Sequence, residues 1–444
     1  MLTLDVVPER SLGCEQWEFV LGMHFCQAVA IIQSQVGIIK GVQVLYSDKN
    51  PLDIDLILDL PQDGIRFIFH PVYQRLKMIE IVNLKNIKLK YWQVFNTIHS
   101  YKCLCSTYKY HNGMVFNAPE VMPTIQQVEH TFGATHPGVF DAEKQTFTLN
   151  FRGISFCFNV DSKFQAGSAQ CGLGSLQFAS GTSPNVSRVI IFSGSPLPGQ
   201  DILNIPSHPL SCYKGLSYLE RLEVQRDLKN TKGFLIQLYL EGSGSNRGRK
   251  VTYNREINFG MSCQDVTSML GTPSQVFYKS EDKMKIHSPN VHRHISVPRR
   301  SDYFFNYFTL GFDILFDAKT HKIKKFIVHT NFPGHYNFNI YHRCEFSIAL
   351  TSEKSKYNLS NDSKKYDKKS KPIIVNTFTK WDEISERLKH SERPVVLNRG
   401  SSENSTNPFG STFCYGYQDM VFEVMQNQHI ASITFYKNDI EDDV

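Results

Sequence analysis

One short pattern recurs along the chain and constrains the fold more than any other feature: a glycine followed by large apolar residues at alternate positions. It stands as GIRFIF at 64–69, GISFCF at 153–158 and GFDILF at 311–316, and in a looser form as GYQDMVFEV at 416–424. Alternate side chains of an extended chain share one face, so each copy predicts a strand with one buried face. The recurrence indicates an internal repeat.

Similar stretches surround each copy of the pattern. Apolar segments that predict a second strand follow it at 75–81, 186–192, 322–328 and 429–436. Helix-like segments precede it at 22–35, 122–133, 260–271 and 378–390. In the third of these, Ser262 suits the N-cap and Gly271 suits the C-terminus. The sequence therefore predicts an α+β fold of four repeated helix-plus-antiparallel-sheet modules packed together, with disordered loops.

The repeat divides the chain into modules and intervening segments. The predicted order is module 1 at 1–91, an insertion at 92–121, module 2 with long loops at 122–241, a flexible loop at 242–250, module 3 at 251–351, a disordered basic linker at 352–375 and module 4 at 376–444. The linker is assigned because SEKSKYNLSNDSKKYDKKSK has seven lysines, three acids and few residues that could form a core.

Composition narrows the class of protein. The 444 residues are 41% hydrophobic and 12% aromatic, which suits a folded protein with more than one domain. A net charge of +6 lacks the basic excess of a nucleic-acid-binding protein. The ten cysteines are scattered without a C-x-x-C pair, as is typical of reduced thiols in a cytosolic protein. The first residues, MLTLDVVPERSLG, lack the apolar run of a signal peptide.

The common catalytic motifs are absent from the sequence. It contains no P-loop, no dinucleotide-binding glycine pattern, no H-E-x-x-H and no G-x-S-x-G. This removes nucleotide hydrolysis by a P-loop, common zinc proteolysis and α/β-hydrolase chemistry from the leading functions, although it does not exclude an enzyme. We assign no catalytic residues and no cofactors.

Residues 329–346, HTNFPGHYNFNIYHRCEF, concentrate histidines together with one cysteine and one arginine. Proline and glycine mark a turn, and the alternation after it predicts a strand from His335 onward. Its apolar face would carry His342 and Cys344. Its polar face would carry Tyr341, Arg343 and Glu345.

A metalloprotein or enzyme is the alternative from a different functional class. Its ligands or catalytic groups would be His329, His335, His342 and Cys344. Zinc sites need three or four converging ligands, usually as closely spaced Cys and His pairs, and this spacing is missing. We favour histidines that are buried or hydrogen-bonded, and no metal.

Two sets of residues are candidates for binding a partner. A charged and aromatic surface is predicted around module 3, formed by Lys283, Lys285, His287, His335, Tyr336 and Arg343. Two short linear motifs, WEFV and WDEI, have the aromatic-x-x-aliphatic form that binds ubiquitin-like proteins at a sheet edge, through Trp17 with Val20 and Trp381 with Ile384. Both tryptophans also suit a buried position in a core.

Long runs of the sequence resemble the phagosome assembly factor family. They include VVPERSLG (6–13), EQWEF (15–19), FGATHPGV (132–139), LNFRG (149–153), YKSEDKMKIHSP (278–289), DYFFNYFTLG (302–311), PGHYNFNIYHRCEF (333–346) and NPFGSTFC (407–414). The resemblance implies a non-enzymatic regulator of autophagy, cytoplasmic and recruited to the phagophore assembly site, the preautophagosomal structure. It implies a complex with a WD-repeat β-propeller protein, membrane association through that partner, and ubiquitin-like autophagy membrane proteins as further partners.

Direct membrane binding remains a second alternative. A peripheral phosphoinositide-binding trafficking protein would use the lysine-rich residues 354–371 and the basic loop 292–300.

Overall fold

Strands make up most of the computed structural model. It describes residues 2–91, 114–115, 122–132, 138–141, 143–160, 184–194, 217–227, 230–240, 251–279, 301–350, 372–388, 393–398 and 409–437. Of these residues, 52% lie in strands and 12% in helices. The helices are α1 Phe25–Ser34, α2 Ile125–Phe132, α3 Cys263–Leu270 and α4 Trp381–Leu388, with a 3₁₀ turn at Leu84–Asn86. The chain forms two compact units: unit 1 is Met1–Lys214 with Gly242–Arg249, and unit 2 is Gly215–Glu241 with Lys250–Val444.

Unit 1 consists of two sheets that share one core. Its strands are β1 Leu2–Val7, β2 Ser11–Gly13, β3 Glu18–Val20, β4 Gln43–Leu45, β5 Leu56–Leu60, β6 Ile65–Phe69, β7 Leu76–Ile81, β8 Ile87–Tyr91, β9 Met114–Val115, β10 Val139–Asp141, β11 Thr146–Phe151, β12 Ile154–Asn159 and β13 Val186–Phe192. The sheet orders are β3-β2-β1-β8-β9 and β4-β5-β6-β7-β13-β12-β11-β10. The rings of Phe19 and Phe67 lie 4.2 Å apart, which joins the two sheets face to face.

Unit 2 has the same arrangement. Its strands are β14 Ser217–Asp227, β15 Asn230–Leu240, β16 Val251–Asn258, β17 Gln275–Tyr278, β18 Tyr303–Tyr307, β19 Phe312–Phe316, β20 Ile323–His329, β21 Phe346–Leu350, β22 Ile373–Asn376, β23 Val395–Leu397, β24 Thr412–Tyr417, β25 Met420–Val424 and β26 Ile430–Tyr436. The sheet orders are β16-β15-β14-β21-β22 and β17-β18-β19-β20-β26-β25-β24-β23. The Phe234 ring packs 4.4 Å from Phe326 and 5.3 Å from Phe435 across the core.

The two units therefore share one strand order. In each, a three-stranded meander pairs in parallel with a later strand, β1 with β8 and β14 with β21. In each, two runs of four strands join through their last strands, β7 with β13 and β20 with β26. Equivalent positions of the two units can be compared through this common order.

The predicted α+β fold of four helix-plus-sheet modules is wrong. The molecule is mostly β, and strands from different predicted modules share the two eight-stranded sheets. Two further sheets contain strands that the helix-plus-sheet pattern omitted, among them the long hairpin β14–β15, which falls among predicted loops. Alternation along a strand reports which side chains are buried, and it carries no information on which strand lies alongside.

The glycine pattern nevertheless marks real strands, β6, β12 and β19. Its glycines have positive φ, 69° at Gly64, 75° at Gly153 and 77° at Gly311, because each closes the turn that starts the strand. In the fourth copy the positive φ, 55°, belongs to Gln418 rather than to Gly416, which explains why this copy looked shifted. The described cysteines are free thiols: Cys14, Cys26, Cys157, Cys263, Cys344 and Cys414.

Candidate functional site

The eight-stranded sheet of unit 2 has a polar face on the side opposite its core. Along β19, Phe312, Ile314 and Phe316 point into the core, so Asp313 points to the other face. Residues 330–345, which we call the cover loop, connect β20 to β21 and contact this polar face. The candidate site lies between the face and the loop.

Asp313 is the centre of one buried group of polar side chains. Its carboxylate lies 2.9 Å from His329 Nε2 and accepts hydrogen bonds from the Tyr341 hydroxyl at 2.8 Å and from Asn306 Nδ2 at 2.7 Å. The rings of His329 and Tyr341 stack 3.9 Å apart. Burial raises the pKa of Tyr341 well above its usual range, and the adjacent Asp313 charge adds to the effect. The hydroxyl therefore stays protonated and keeps donating to Asp313.

Glu423 is the centre of a second buried group. Its Oε1 accepts a hydrogen bond from Thr412 Oγ1 at 2.8 Å and lies 3.2 Å from His335 Nε2. Its Oε2 accepts a hydrogen bond from Ser432 Oγ at 2.8 Å. The histidine comes from the cover loop and the other groups come from adjacent strands, so these bonds fasten the loop to the sheet.

A cavity of about 290 Å³, which we call the cover-loop cavity, lies among these groups. Asp313, Glu423 and Ser432 line it and are buried. Phe277 and Tyr336 also line it and are 51% and 42% exposed, so they form its rim. Pockets for small ligands usually measure about 300–1,000 Å³, so this cavity suits a group the size of one side chain.

The hydrogen bonds of the site connect side chains of the strands with side chains of the cover loop. The hydroxyls of Ser432 and Thr412 both donate to Glu423. The imidazoles of His329 and His335 each face a different carboxylate. What this geometry does is to hold the cover loop in place.

The four residues of the metalloprotein alternative do not act together. His342 packs against the Tyr218 ring at 5.4 Å, while His329 and His335 face Asp313 and Glu423. Burial raises the pKa of the Cys344 thiol, which disfavours the thiolate that a metal requires. Within the described ranges no three His, Cys, Asp or Glu side chains are placed to hold a metal ion.

The predicted strand from His335 onward is wrong. Turns occupy this segment, and the next strand, β21, begins only at Phe346. Asn331 and Asn339 have positive φ, 51° and 68°, and the Asn339 backbone N–H donates to Asn331 Oδ1 at 2.9 Å. Asparagine tolerates this conformation, so the asparagines, together with the Pro-Gly pair, were the available signal for a loop.

Without that strand, the predicted polar face does not form. Tyr341 is buried on Asp313, and Glu345 is exposed. Arg343 Nε donates to the Thr330 carbonyl at 2.9 Å, and its guanidinium lies 4.7 Å from the Phe332 ring centre.

The predicted partner surface is described only in part. Lys283, Lys285 and His287 lie outside the described residues. In the cover loop, His335 is buried against the sheet, Tyr336 lies at the cavity rim and Arg343 is half-buried near the end of the loop. Tyr336 lines the cavity, and His335 contacts Glu423, which also lines it.

The two tryptophan motifs lie within folded elements. Trp17 is buried and its ring packs 5.3 Å from Phe19, and Val20 pairs with Ser11 in the sheet. Trp381 begins α4 and stacks 4.5 Å from Tyr415, and Ile384 is fully buried. These are the positions expected of residues that anchor a core.

Sequence reasoning missed most of the polar groups at the site: Asn306, Asp313, Thr412, Glu423 and Ser432. The signal was present as a carboxylate inside an apolar strand, in FDILF and MVFEV. Alternation alone cannot distinguish a side chain that faces solvent from one that a loop covers.

Comparison with known proteins gives the family. The family model for phagosome assembly factor 1 matches residues 15–436. A PHAF1 protein of Drosophila melanogaster is 55% identical over 438 residues, which covers 98% of this chain and 94% of that protein. The chain belongs to the phagosome assembly factor 1 family.

Distant relatives extend this family match. A PHAF1 protein of Caenorhabditis elegans is 35% identical over 97% of this chain and 93% of its own length. One of Arabidopsis thaliana is 32% identical over 98% of this chain and 93% of its own length. No solved structure matches the chain.

Family membership implies a role in phagosome assembly, which points to autophagy, and the family is not a known enzyme family. In the described part of the chain, no helix has the length and apolar character needed to cross a membrane.

Proposed function

We propose that the chain is a non-enzymatic adaptor that regulates autophagy at the phagophore assembly site, in complex with a WD-repeat β-propeller protein. The family match over residues 15–436 carries the proposal, because this family is named for phagosome assembly. Membrane association would come through the partner, and ubiquitin-like autophagy membrane proteins would be further partners.

The bonding at the candidate site supports an adaptor rather than a catalyst. Asp313 and Glu423 accept hydrogen bonds from tyrosine, asparagine, threonine and serine side chains. These bonds fix the cover loop, which carries the exposed side chain of Tyr336. An adaptor needs such a fixed surface, with exposed aromatic side chains as anchors.

Exposed aromatic residues cluster beside this site. Phe277, Tyr278 and Tyr336 are each more than two-fifths exposed. Lys279 donates its backbone N–H to the Asp302 carbonyl at 2.8 Å, next to the paired strands β17 and β18. Lys283 and Lys285, which lie outside the described residues, follow Lys279 closely in the sequence. We place the propeller-binding surface around these two strands.

The test is co-purification of the WD-repeat protein with the tagged full-length chain from cells, together with imaging of the chain at forming autophagosomes. Lys283→Glu with Lys285→Glu should reduce recovery of the partner several-fold, because charge reversal at an interface weakens association. The control, Arg387→Glu with Arg393→Glu, reverses the charge of two exposed arginines in α4 and just before β23, the strand at the opposite edge of the eight-stranded sheet from β17, and should leave recovery unchanged.

Two outcomes would contradict the proposal. If the wild-type protein recovers no WD-repeat partner, the proposed adaptor function is wrong. If both double variants recover the partner equally well, the proposed binding surface is wrong. Flotation of the purified chain with acidic phosphoinositide vesicles, without any partner, would favour the direct membrane-binding alternative. The segments predicted for that binding, 292–300 and 354–371, lie outside the described residues.

A further inference from the structure

The edge strands β4 and β17 carry almost the same four residues. β4, together with the residue that follows it, reads QVLY from Gln43, and β17 reads QVFY from Gln275. Gln43 pairs with Asp59 of the neighbouring strand. At the equivalent place Gln275 pairs with Asn306, and Asp59 and Asn306 each lie five residues before the glycine that precedes β6 or β19. The two units therefore present one short motif at the same position and in the same register.

The apolar side chains of this motif are exposed. Those of Leu45, Tyr46, Val276, Phe277 and Tyr278 are between 40% and 65% exposed. Edge strands are usually protected against pairing with other chains by charged residues or prolines, and neither copy of the motif contains one. Exposed apolar residues on an unprotected sheet edge indicate a surface that binds another chain.

The backbone of each motif also has hydrogen-bonding groups on its outer side. The Lys279 N–H donates to the Asp302 carbonyl, so this pair is hydrogen-bonded in the ladder of β17 and β18. Bonded and non-bonded pairs alternate in an antiparallel ladder, and the N–H and C=O of Val276 therefore point away from β18. The shared register gives Val44 the same orientation in β4. Both strands end their sheets, and within the described ranges no strand pairs with their outer sides.

The size of each edge favours a short segment over a second copy of the chain. β4 has three residues and β17 has four. A stable homodimer usually has about 20–30 residues on each side of its interface. Pairing of two such short edges does not provide an interface of this size. An extended peptide that adds one strand needs less, because main-chain hydrogen bonds supply the affinity and its side chains supply the specificity.

The motif also indicates what this segment contains. Successive residues of a strand point to opposite faces of the sheet, so Val276 and Tyr278 lie on one face and Phe277 on the other. An added strand therefore meets apolar side chains on both faces. β-Branched residues pair well with aromatic neighbours across a ladder. The matching segment has consecutive β-branched apolar residues and no proline, which would remove a ladder hydrogen bond.

We propose that the QVLY edge of β4 and the QVFY edge of β17 each bind an extended segment of a partner protein, which adds to the sheet as a further strand. Each chain then binds two such segments, one in each unit. The proposal does not rest on the WD-repeat protein of the proposed function. Although β17 belongs to both surfaces, the test below uses peptides alone, so either proposal can fail without the other.

Isothermal titration calorimetry of the full-length protein with two peptides tests the backbone contribution. The first is an acetylated and amidated peptide with the order glutamate, threonine, valine, isoleucine, valine, threonine, glutamate, and it should bind saturably with two peptides per chain. The second has a methyl group on the backbone nitrogen of each apolar residue. It keeps the side chains and loses several backbone hydrogen bonds, so it should bind at least about tenfold more weakly.

Proline variants locate the binding. Val276→Pro removes an N–H that points outward and leaves the hydrogen bonds to β18 in place, so it should remove one of the two sites. Val44→Pro combined with Val276→Pro should remove both. The control is Val396→Pro in β23, the strand at the other edge of the same sheet, where Val396 is 57% exposed. This variant should bind the first peptide as the wild type does.

Equal binding of the two peptides by the wild-type protein would overturn the proposal, as would the absence of saturable binding. So would a double proline variant that keeps both sites, or a Val396→Pro protein that loses as much binding as the double variant. If sedimentation shows a wild-type dimer that the double variant converts to a monomer, a second copy occupies these edges and the proposal is wrong. The comparison of the two peptides on the wild-type protein decides the matter even if a proline variant does not fold.

Discussion

His429 makes the stability of unit 2 depend on pH in a way that can be calculated. The residue is 2% exposed at the start of β26, and its ring lies 4.4 Å from Phe332. Burial, together with the positive charges of Lys380 and Arg343, lowers the pKa of His429 to about 4. Protonation of the folded protein would place a third positive charge in this region.

The direction of the effect follows from proton binding. An unfolded histidine has a pKa of about 6.5, so between that value and about 4 the unfolded chain binds a proton that the folded chain does not. The contribution of neutral His429 to the free energy of unfolding is therefore fully present above about pH 6.5 and is lost as the pH falls toward 4. With these two pKa values, the loss contributed by His429 between pH 7 and pH 5 is about 2 kcal/mol.

Urea unfolding of the full-length protein at pH 7 and pH 5 measures this loss. His429→Gln removes the titrating group, so its free energy of unfolding should fall about 2 kcal/mol less than that of the wild type over this interval. His321→Gln, elsewhere in unit 2, retains His429 and should keep the wild-type difference. If the wild type and His429→Gln lose the same stability between the two pH values, the reasoning about buried charge at this position is refuted.

Three further substitutions test the packing of unit 2 by the same unfolding measurement. Asp419→Asn removes the negative charge that pairs with the buried Arg226 guanidinium, whose nearest nitrogen lies 2.7 Å from Asp419 Oδ1. The free energy of unfolding should fall by about 3 kcal/mol, and a change below about 1 kcal/mol would contradict a buried ion pair. Phe234→Ala removes a ring from the centre of the core and should lower the free energy of unfolding by about 3–5 kcal/mol. A small effect would show that the two sheets do not meet at this ring. Gly311→Ala places a methyl group at a position with positive φ, where it would clash with the His342 carbonyl. The free energy of unfolding should therefore fall by more than about 1 kcal/mol, and wild-type stability would show that the turn is free to move.

The sequence predicted the strands of this fold better than their arrangement. The glycine pattern located β6, β12 and β19 because both of its components, positive φ and alternate burial, are local properties of the chain. The pairings of β7 with β13 and of β20 with β26 connect segments more than a hundred residues apart. The pattern of a single sequence does not specify a pairing between such distant strands. For this reason we predicted four separate modules, whereas the chain forms two units in which strands of different predicted modules share a sheet.

The candidate site was located by sequence but its chemistry was misassigned. The density of histidines at 329–346 drew attention to the cover loop, and two of these histidines do contact the polar face. Their partners, Asp313 and Glu423, come from strands whose polar positions look solvent-facing in the sequence. A buried polar contact depends on what covers a strand, which is a tertiary property.

The common strand order of the two units separates what the fold requires from what is particular to one unit. Apolar residues fill the core of both units, and both sheets close in the same way, so these features belong to the fold. The cover loop and the exchange of Arg66 for Asp313 at an equivalent position occur in unit 2 and not in unit 1. Neither change is needed to complete a sheet or a core, and together they create a cavity with two carboxylates. Both carboxylates accept hydrogen bonds from side chains of unit 2, so in the folded chain they fix the position of the cover loop.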